Sequence, residues 1–439
     1  CPSLNTPDIA VRATDGNLWV VWHEAPGTNI GGGDPGDIKY ATSDDLGYSW
    51  SSAGLVHDGK ARRPRIAAHG ASGYLYTVWE DERSDDSDIY ISHYTSSWGT
   101  PLKVSDAISG TQQRQPNLTV DGDGNVYAVW EDTRENDDGE VYFSRWLSGT
   151  TWSASNWMTN TRLSDPSVEW AGDPDIIAGP GGILYTTWYE RISTDVGGGY
   201  TFQIVVARSN DDGENWTRCP VVARLPEPYE SGLSYYTNPA IGVDQSGQVY
   251  VTWLWTQDIT AGTTSIFFSQ SPDGGRHWTE PRMLTPFPNV QWADVPDLAA
   301  SFDGEVVVAW EDYRETGGTN IYATGYPADR YLTSGEYRRD LDAGGPAAWG
   351  TITWTATITP GTSLALATRV MTTAGAGWTE WFTHTASGDA IPHPSGRLIQ
   401  YRAVFTSTAL PGNDTSVLDE VVISYEQYRV FLPLVLREG

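Results

Sequence analysis

Four segments of this chain place acids beside an arginine at one recurring spacing: Glu80-Asp81-Glu82-Arg83, Glu131-Asp132-Thr133-Arg134, Glu311-Asp312-Tyr313-Arg314 and the variant Tyr189-Glu190-Arg191. Neighbouring carboxylates can divide acid and base roles, and an arginine fork can hold a carboxylate in a fixed ion pair. A catalytic group is needed once, whereas this pattern recurs, so the spacing predicts loop buttresses built from Arg–carboxylate pairs. Asp121-Gly122-Asp123-Gly124-Asn125 opens like a calcium loop but lacks the spaced Glu that would close one. Asp121 and Asp123 are therefore weak Ca²⁺ candidates, and no cofactor is required. The acid-rich loops 84–88 and 135–140 are better oxygen clusters and read equally as solvated loops. Seven scattered histidines do not form a zinc site. There is no phosphate-cradling loop, serine triad or redox cysteine pair.

The elements that must position these groups are strands. A Pro-led apolar strand, a Gly turn and a Trp-bearing strand recur six times, led by Pro7, Pro64, Pro116, Pro174, Pro239 and Pro296. The partner tryptophans, Trp22, Trp79, Trp130, Trp188, Trp253 and Trp310, follow one another by 57, 51, 58, 65 and 57 residues, about one four-stranded blade per interval. Three copies of Ser-x-Asp-x-Gly-x-x-Trp punctuate the repeat: Ser43, Asp45, Gly47 and Trp50; Ser209, Asp211, Gly213 and Trp216; Ser271, Asp273, Gly275 and Trp278. In each, Gly permits a turn at positive φ, Asp bonds the turn's own amides and Trp plugs the space beneath. The expected fold is all-β: a six-bladed β-propeller over 1–330, a β-sandwich over 331–427 and an apolar tail or strand over 428–439. The last blade lacks a clear fourth strand, for which residues 1–6 or the start of the next domain are the candidates.

The three boxes resemble the Asp-boxes of the sialidase and BNR-repeat β-propellers. Trp378-Thr379-Glu380-Trp381 with Gly396–Arg402 resembles the jelly-roll modules of secreted bacterial proteins. The sialidase resemblance implies a ligand face opposite the boxes, formed by the B–C and D–A loops, where arginines grip a substrate carboxylate and a Tyr–Glu pair supplies the nucleophile. Arg63, Arg65 and Arg114 stand near the starts of A strands, although the family's Arg-Ile-Pro order is scrambled to Pro-Arg-Ile here. Tyr235 and Tyr236, with Glu227 or Glu230, are the matching Tyr–Glu set. Trp170, Tyr236 and Trp292, each just before a strand A proline, are candidates for stacking sugar rings.

Trp (21) and Tyr (23) far outnumber Phe (9), which suits propeller cores and sugar-binding surfaces alike. The net charge is −29, and residues 331–439 hold only 10 acids against 7 bases, so the acidity belongs to the repeats. Such a surface repels nucleic acid and anionic membrane. No stretch is long and apolar enough to span a bilayer. The two cysteines, Cys1 and Cys219, fit an exported chain in which Cys1 is lipidated or takes part in a disulfide, including one between molecules.

These features lead to a secreted, non-catalytic propeller in bacterial extracellular assembly or adhesion, self-associating as a filament or surface-layer subunit, with surface glycans as further partners. The apolar strand Val430, Phe431, Leu432, Leu434, Val435 and Leu436 would add to a neighbour's sheet edge. The alternatives are a sialidase-type exo-glycosidase, a retaining enzyme, or a lectin without hydrolysis.

Overall fold

The computed structural model describes residues 3–25, 35–83, 86–106, 109–135, 138–193, 200–224, 235–258, 263–285, 293–301, 304–312, 320–326, 334–358, 362–371, 378–407, 417–425 and 428–433. Cys1, Glu227, Glu230, Trp292, Leu434, Val435 and Leu436 lie outside these residues. The chain divides into two compact units, Cys1–Ala323 and Thr324–Gly439.

The first unit is a succession of antiparallel sheets, each entered through one of the six Pro-led strands: Ser3–Arg12, Gly54–Ala68, Gln113–Val120, Trp170–Ala178, Tyr235–Val243 and Ala293–Ala300. Successive members of this set pack side by side, which is the arrangement of a β-propeller. Gly54–Ala68 serves two sheets. Its first half pairs with Gly36–Ser43 and its second half with Leu75–Asp81, so one continuous strand joins what the sequence suggests are separate outer and inner strands.

Every inner strand carries the same irregularity. The residue before the proline, Thr6, Arg63, Gln115, Asp173, Asn238 or Val295, has a φ between 42° and 51°. The register with the second strand shifts at each of these points. Proline disfavours helical backbone in the residue before it, so six left-handed residues at equivalent places form one repeated β-bulge that re-aims a side chain.

The residue after each proline lies in the middle of the ring. Asp8 accepts from Ile9 N (2.9 Å) and from Ile66 N of the next sheet (2.7 Å). Asp175 does the same with Ile176 N and Ile241 N, both at 2.8 Å. Asp8 and Asp175 both feel the charges of Arg65 and Asp297, and burial raises the pKa of each, that of Asp175 to about 7.

Of the six tryptophans on the second strands, Trp79, Trp130, Trp188 and Trp253 are fully buried and Trp310 nearly so, whereas Trp22 is only partly buried. The last described sheet of this unit has three strands, Ala293–Ala300, Val306–Asp312 and Asn320–Tyr326. Residues 3–5 do not complete it, because Ser3, Leu4 and Asn5 pair with Ala25, Glu24 and His23 of the first sheet.

The three Asp-boxes share one hydrogen-bond pattern. Ser43, Ser209 and Ser271 donate to Asp45, Asp211 and Asp273 at 2.7–2.9 Å, and the amides of Gly47, Gly213 and Gly275 donate back to the serine oxygens at 2.8–2.9 Å.

In the second unit, two four-stranded antiparallel sheets share one core. Leu366, Val370, Ile399 and Tyr401 from one sheet meet Trp349, Ile352, Val421 and Ile423 from the other. Val430, Phe431 and Leu432 lie on the strand Tyr428–Pro433, whose backbone pairs with Val417–Tyr425 of the same chain. One edge of that strand is therefore already used within its own domain. No helix among the described residues is long and apolar enough to cross a membrane.

Candidate active site at the ring mouth

The acid–arginine segments end the second strands, directly across from the bulges: Glu80 pairs in register with Arg62, and Glu131 with Arg114. The boxes sit at the other end, where Ser43, Ser209 and Ser271 pair with Leu18, Leu184 and Val249.

Side chains alternate along a strand, so the two acids of each pair face opposite ways. Asp81, Asp132 and Asp312 turn back and accept the indole N–H of Trp79, Trp130 and Trp310 at 3.0–3.1 Å. Arg83 Nε donates to Asp81 at 2.7 Å, and Arg134 Nη2 to Asp132 at the same distance. Glu190 takes this part in the variant segment, accepting Trp188 Nε1 at 2.9 Å and two bonds from Arg218. The first two segments are the expected buttresses, whereas in the variant Arg191 pairs with Asp138 and Glu169 instead of Glu190, and Arg314 lies outside the described residues. The first residue of each pair, Glu80, Glu131 or Tyr189, faces the bulges instead, a division the recurrence of the motif conceals.

Glu80 is fully buried and locked. Arg62 Nε donates to it at 2.7 Å, Arg63 Nη1 to both oxygens at 2.9 and 3.2 Å, and Gln115 N at 2.6 Å. Glu131, 4% exposed, has a looser cation: Arg114 Nε is 3.7 Å away, too far for a hydrogen bond. Two glycines make room for it. Gly139 meets the side of the Glu131 chain, and on Gly172 three polar atoms converge: Glu131 Oε2, Tyr189 OH and Trp170 Nε1. A Cβ on Gly172 would lie 2.6, 2.9 and 3.2 Å from them, so a larger residue here would push these side-chain ends aside.

Burial raises the Glu131 pKa to about 7. Arg114 opposes the rise, while the charges of Asp173 and Glu80 add to it. Asp173, on the neighbouring bulge, is also raised by burial, against the pull of the Asn238 amide bonded at 3.1 Å. Tyr189 is pushed far above the ordinary phenol range by burial and by the charges of Asp173 and Glu131, so its hydroxyl keeps its proton. Trp170 stands edge-on to Tyr189 at 5.7 Å, with the Arg191 guanidinium over its face at 5.3 Å.

The other expected site residues are dispersed. Arg63 and Arg114 reach this mouth, whereas Arg65 points to the ring centre beside Asp8 and Asp175. Tyr236 is a core residue, edge-on to Trp253 and Trp255 at 6.1 and 6.4 Å, and its pKa is raised to about 12 by burial alone. It cannot act as a mouth nucleophile. Tyr235 packs on Phe202 at 6.1 Å.

The calcium candidate Asp121 spends its oxygens on its own turn: Asp123 N, Asn125 N, Asn125 Nδ2 and Tyr127 OH lie 2.7–3.0 Å away. Asp123 contributes that backbone amide. Among the described residues Cys219 is a free, buried thiol, its pKa raised to about 11 by burial, and it packs against Gly275.

No family model and no curated protein matches this chain. Among solved structures, the α-L-arabinofuranosidase Arb93A of Fusarium graminearum is similar over 74% of this chain and 93% of its own, at 13% identity and TM-score 0.47. A Penicillium chrysogenum α-L-arabinanase is similar over 73% of this chain and 93% of its own, at 16% identity and TM-score 0.48. A polysaccharide lyase of family PL25, an ulvan lyase, is similar over 73% and 78%, at 14% identity and TM-score 0.49. The chemistry of this chain has to be read from its own residues.

Proposed function

We propose that this protein is a six-bladed propeller with a β-sandwich appended, and that it cleaves glycosidic bonds at the ring mouth. The observation that carries this reading is Glu131, a buried carboxyl whose pKa of about 7 leaves it largely protonated in mildly acidic solution, beside a second mouth carboxyl, Asp173. Glycoside cleavage needs such a pair. One acid protonates the leaving oxygen, and the other carboxylate attacks the sugar carbon or activates water.

Glu131 takes the acid role and Asp173 the second role. Tyr189, kept protonated, donates a hydrogen bond and does not attack, unlike the tyrosine of the sialidase scheme. Half-buried Trp170 offers a ring edge to a sugar. Glu80, held by Arg62 and Arg63, fixes the mouth and supplies negative charge to Glu131. The protein would act outside the cell, with glycans as partners and without a required metal.

The test is reducing-end release from a panel of arabino-, galacto- and xylo-oligosaccharides and sialosides. Cleavage of one class, lost in Glu131→Gln with binding retained, supports the reading. Binding that persists with no cleavage by the wild type turns it into the lectin alternative.

A further inference from the structure

A β-bulge interrupts the ladder, so the backbone N–H of the bulged residue needs an acceptor from elsewhere. At the ring mouth three of these amides find one in a side chain of the sheet before. Gln115 N donates to Glu80 Oε1 at 2.6 Å, Asp173 N to Gln115 Oε1 at 3.3 Å and Asn238 N to Asp173 Oδ2 at 3.1 Å. Asn238 Nδ2 carries the line on to Asp294 at 3.4 Å. The bonds therefore pass from sheet to sheet through Glu80, Gln115 and Asp173.

Gln115 is the neutral link between two acids. Its backbone serves Glu80 and its side chain serves the bulge of Asp173, so one residue holds both in register. Because Oε1 is engaged by a backbone amide, the other end of the side chain is an N–H2 group, which can only donate. Its effect falls on Asp173. Burial raises the Asp173 pKa, and the Asn238 amide, the charge of Arg63 and the Gln115 side chain each draw it back down, while the charge of Asp294 adds to the rise. Glu131 and Tyr189 face Asp173 as well, and both are raised first by burial and further by its charge.

We propose that Gln115 is the positioning residue that separates the roles of the two mouth carboxyls: it anchors the bulge of Asp173 and donates to its carboxylate, so that Asp173 carries the negative charge and Glu131 the proton. Its bearing on catalysis rests on the glycosidase reading above, in which Gln115 acts through Asp173. Its hold on Asp173 does not.

The experiment compares the full-length wild type with Gln115→Met, which removes donor and acceptor at similar length, and Gln115→Lys, which removes the acceptor and keeps a donor. Both lose the anchor to the Asp173 amide, so a role confined to packing affects them alike. Two quantities are followed against pH: kcat/KM on the oligosaccharide found to be cleaved, and the carboxyl ¹³C signal of Asp173 in aspartate-labelled protein, identified by its absence in Asp173→Asn. In Gln115→Met the Asp173 midpoint and the acid limb of kcat/KM should rise by about one pH unit, a tenfold loss at a fixed pH on that limb, with the alkaline limb unmoved. In Gln115→Lys both should fall. If the methionine variant does not fold, the downward shift in the lysine variant remains the test. Midpoints that move the same way in both variants, or in neither, overturn the inference. If the wild type cleaves nothing, the glycosidase reading fails by itself and the carboxyl titration alone decides the hold of Gln115 on Asp173.

Discussion

Glu131 and Asp132 are chain neighbours that face opposite sides of one strand end. Asp132 is tied to the Trp130 indole at 3.1 Å and to Arg134 at 2.7 Å, while Glu131 stands at the ring mouth with no cation among the described residues closer than Arg114 at 3.7 Å. The two should therefore separate on mutation. Asp132→Ala leaves the Trp130 indole and Arg134 unmatched and should lower stability by about 3 kcal/mol, read as a shift in the denaturation midpoint. Glu131→Gln should leave stability unchanged or raised.

Activity should fall as pH rises through about 7, because Glu131 must be protonated to act and its proton leaves there. On the acid side it should fall as Asp173 gains its proton, above the usual aspartate range because burial raises that group. A pH profile of kcat/KM checks both limbs. An optimum above pH 8 would contradict the assignment.

Asp175 should make the fold pH-sensitive. Its pKa is 3.8 as an ordinary aspartate and about 7 in the ring centre, so between these values the native state holds a proton that the unfolded chain has lost. Its contribution to stability is complete below the lower value and is lost as pH rises through the upper one. Asp175→Asn should raise the melting temperature at pH 8 by a few degrees relative to wild type and change it little at pH 4.

Much of this was legible in the sequence. The six prolines and six tryptophans mark the inner and second strands, and Ser-x-Asp-x-Gly-x-x-Trp specifies its turn through local hydrogen bonds that need no distant partner. The candidate site was less legible, because Glu131 and Asp132 look alike in a recurring motif and only the two-residue alternation of a strand separates them. Gly172, which admits Glu131, Tyr189 and Trp170 to one spot, depends on atoms from three strands that no local pattern joins. Tyr236 misleads for a related reason: a tyrosine before an inner-strand proline reads as a mouth residue until packing places it against Trp253.

The boxes should differ in their sensitivity to a methyl group. Gly213→Ala meets both a positive φ and the Phe143 ring of the preceding sheet, whereas Gly47→Ala meets only the positive φ, since its nearest neighbours are 3.7 and 3.8 Å away. Thermal unfolding should show the larger loss for Gly213, with Gly47→Ala costing about 1 kcal/mol.

The most direct test of the ring-mouth account compares Glu131→Gln with wild type on two substrates of the same sugar, a natural oligosaccharide and its dinitrophenyl glycoside. The dinitrophenolate departs without protonation, so a missing general acid should cost about 10²–10⁴-fold on the oligosaccharide and little on the dinitrophenyl glycoside. Equal loss on both substrates, or no loss on either, would contradict the role assigned to Glu131.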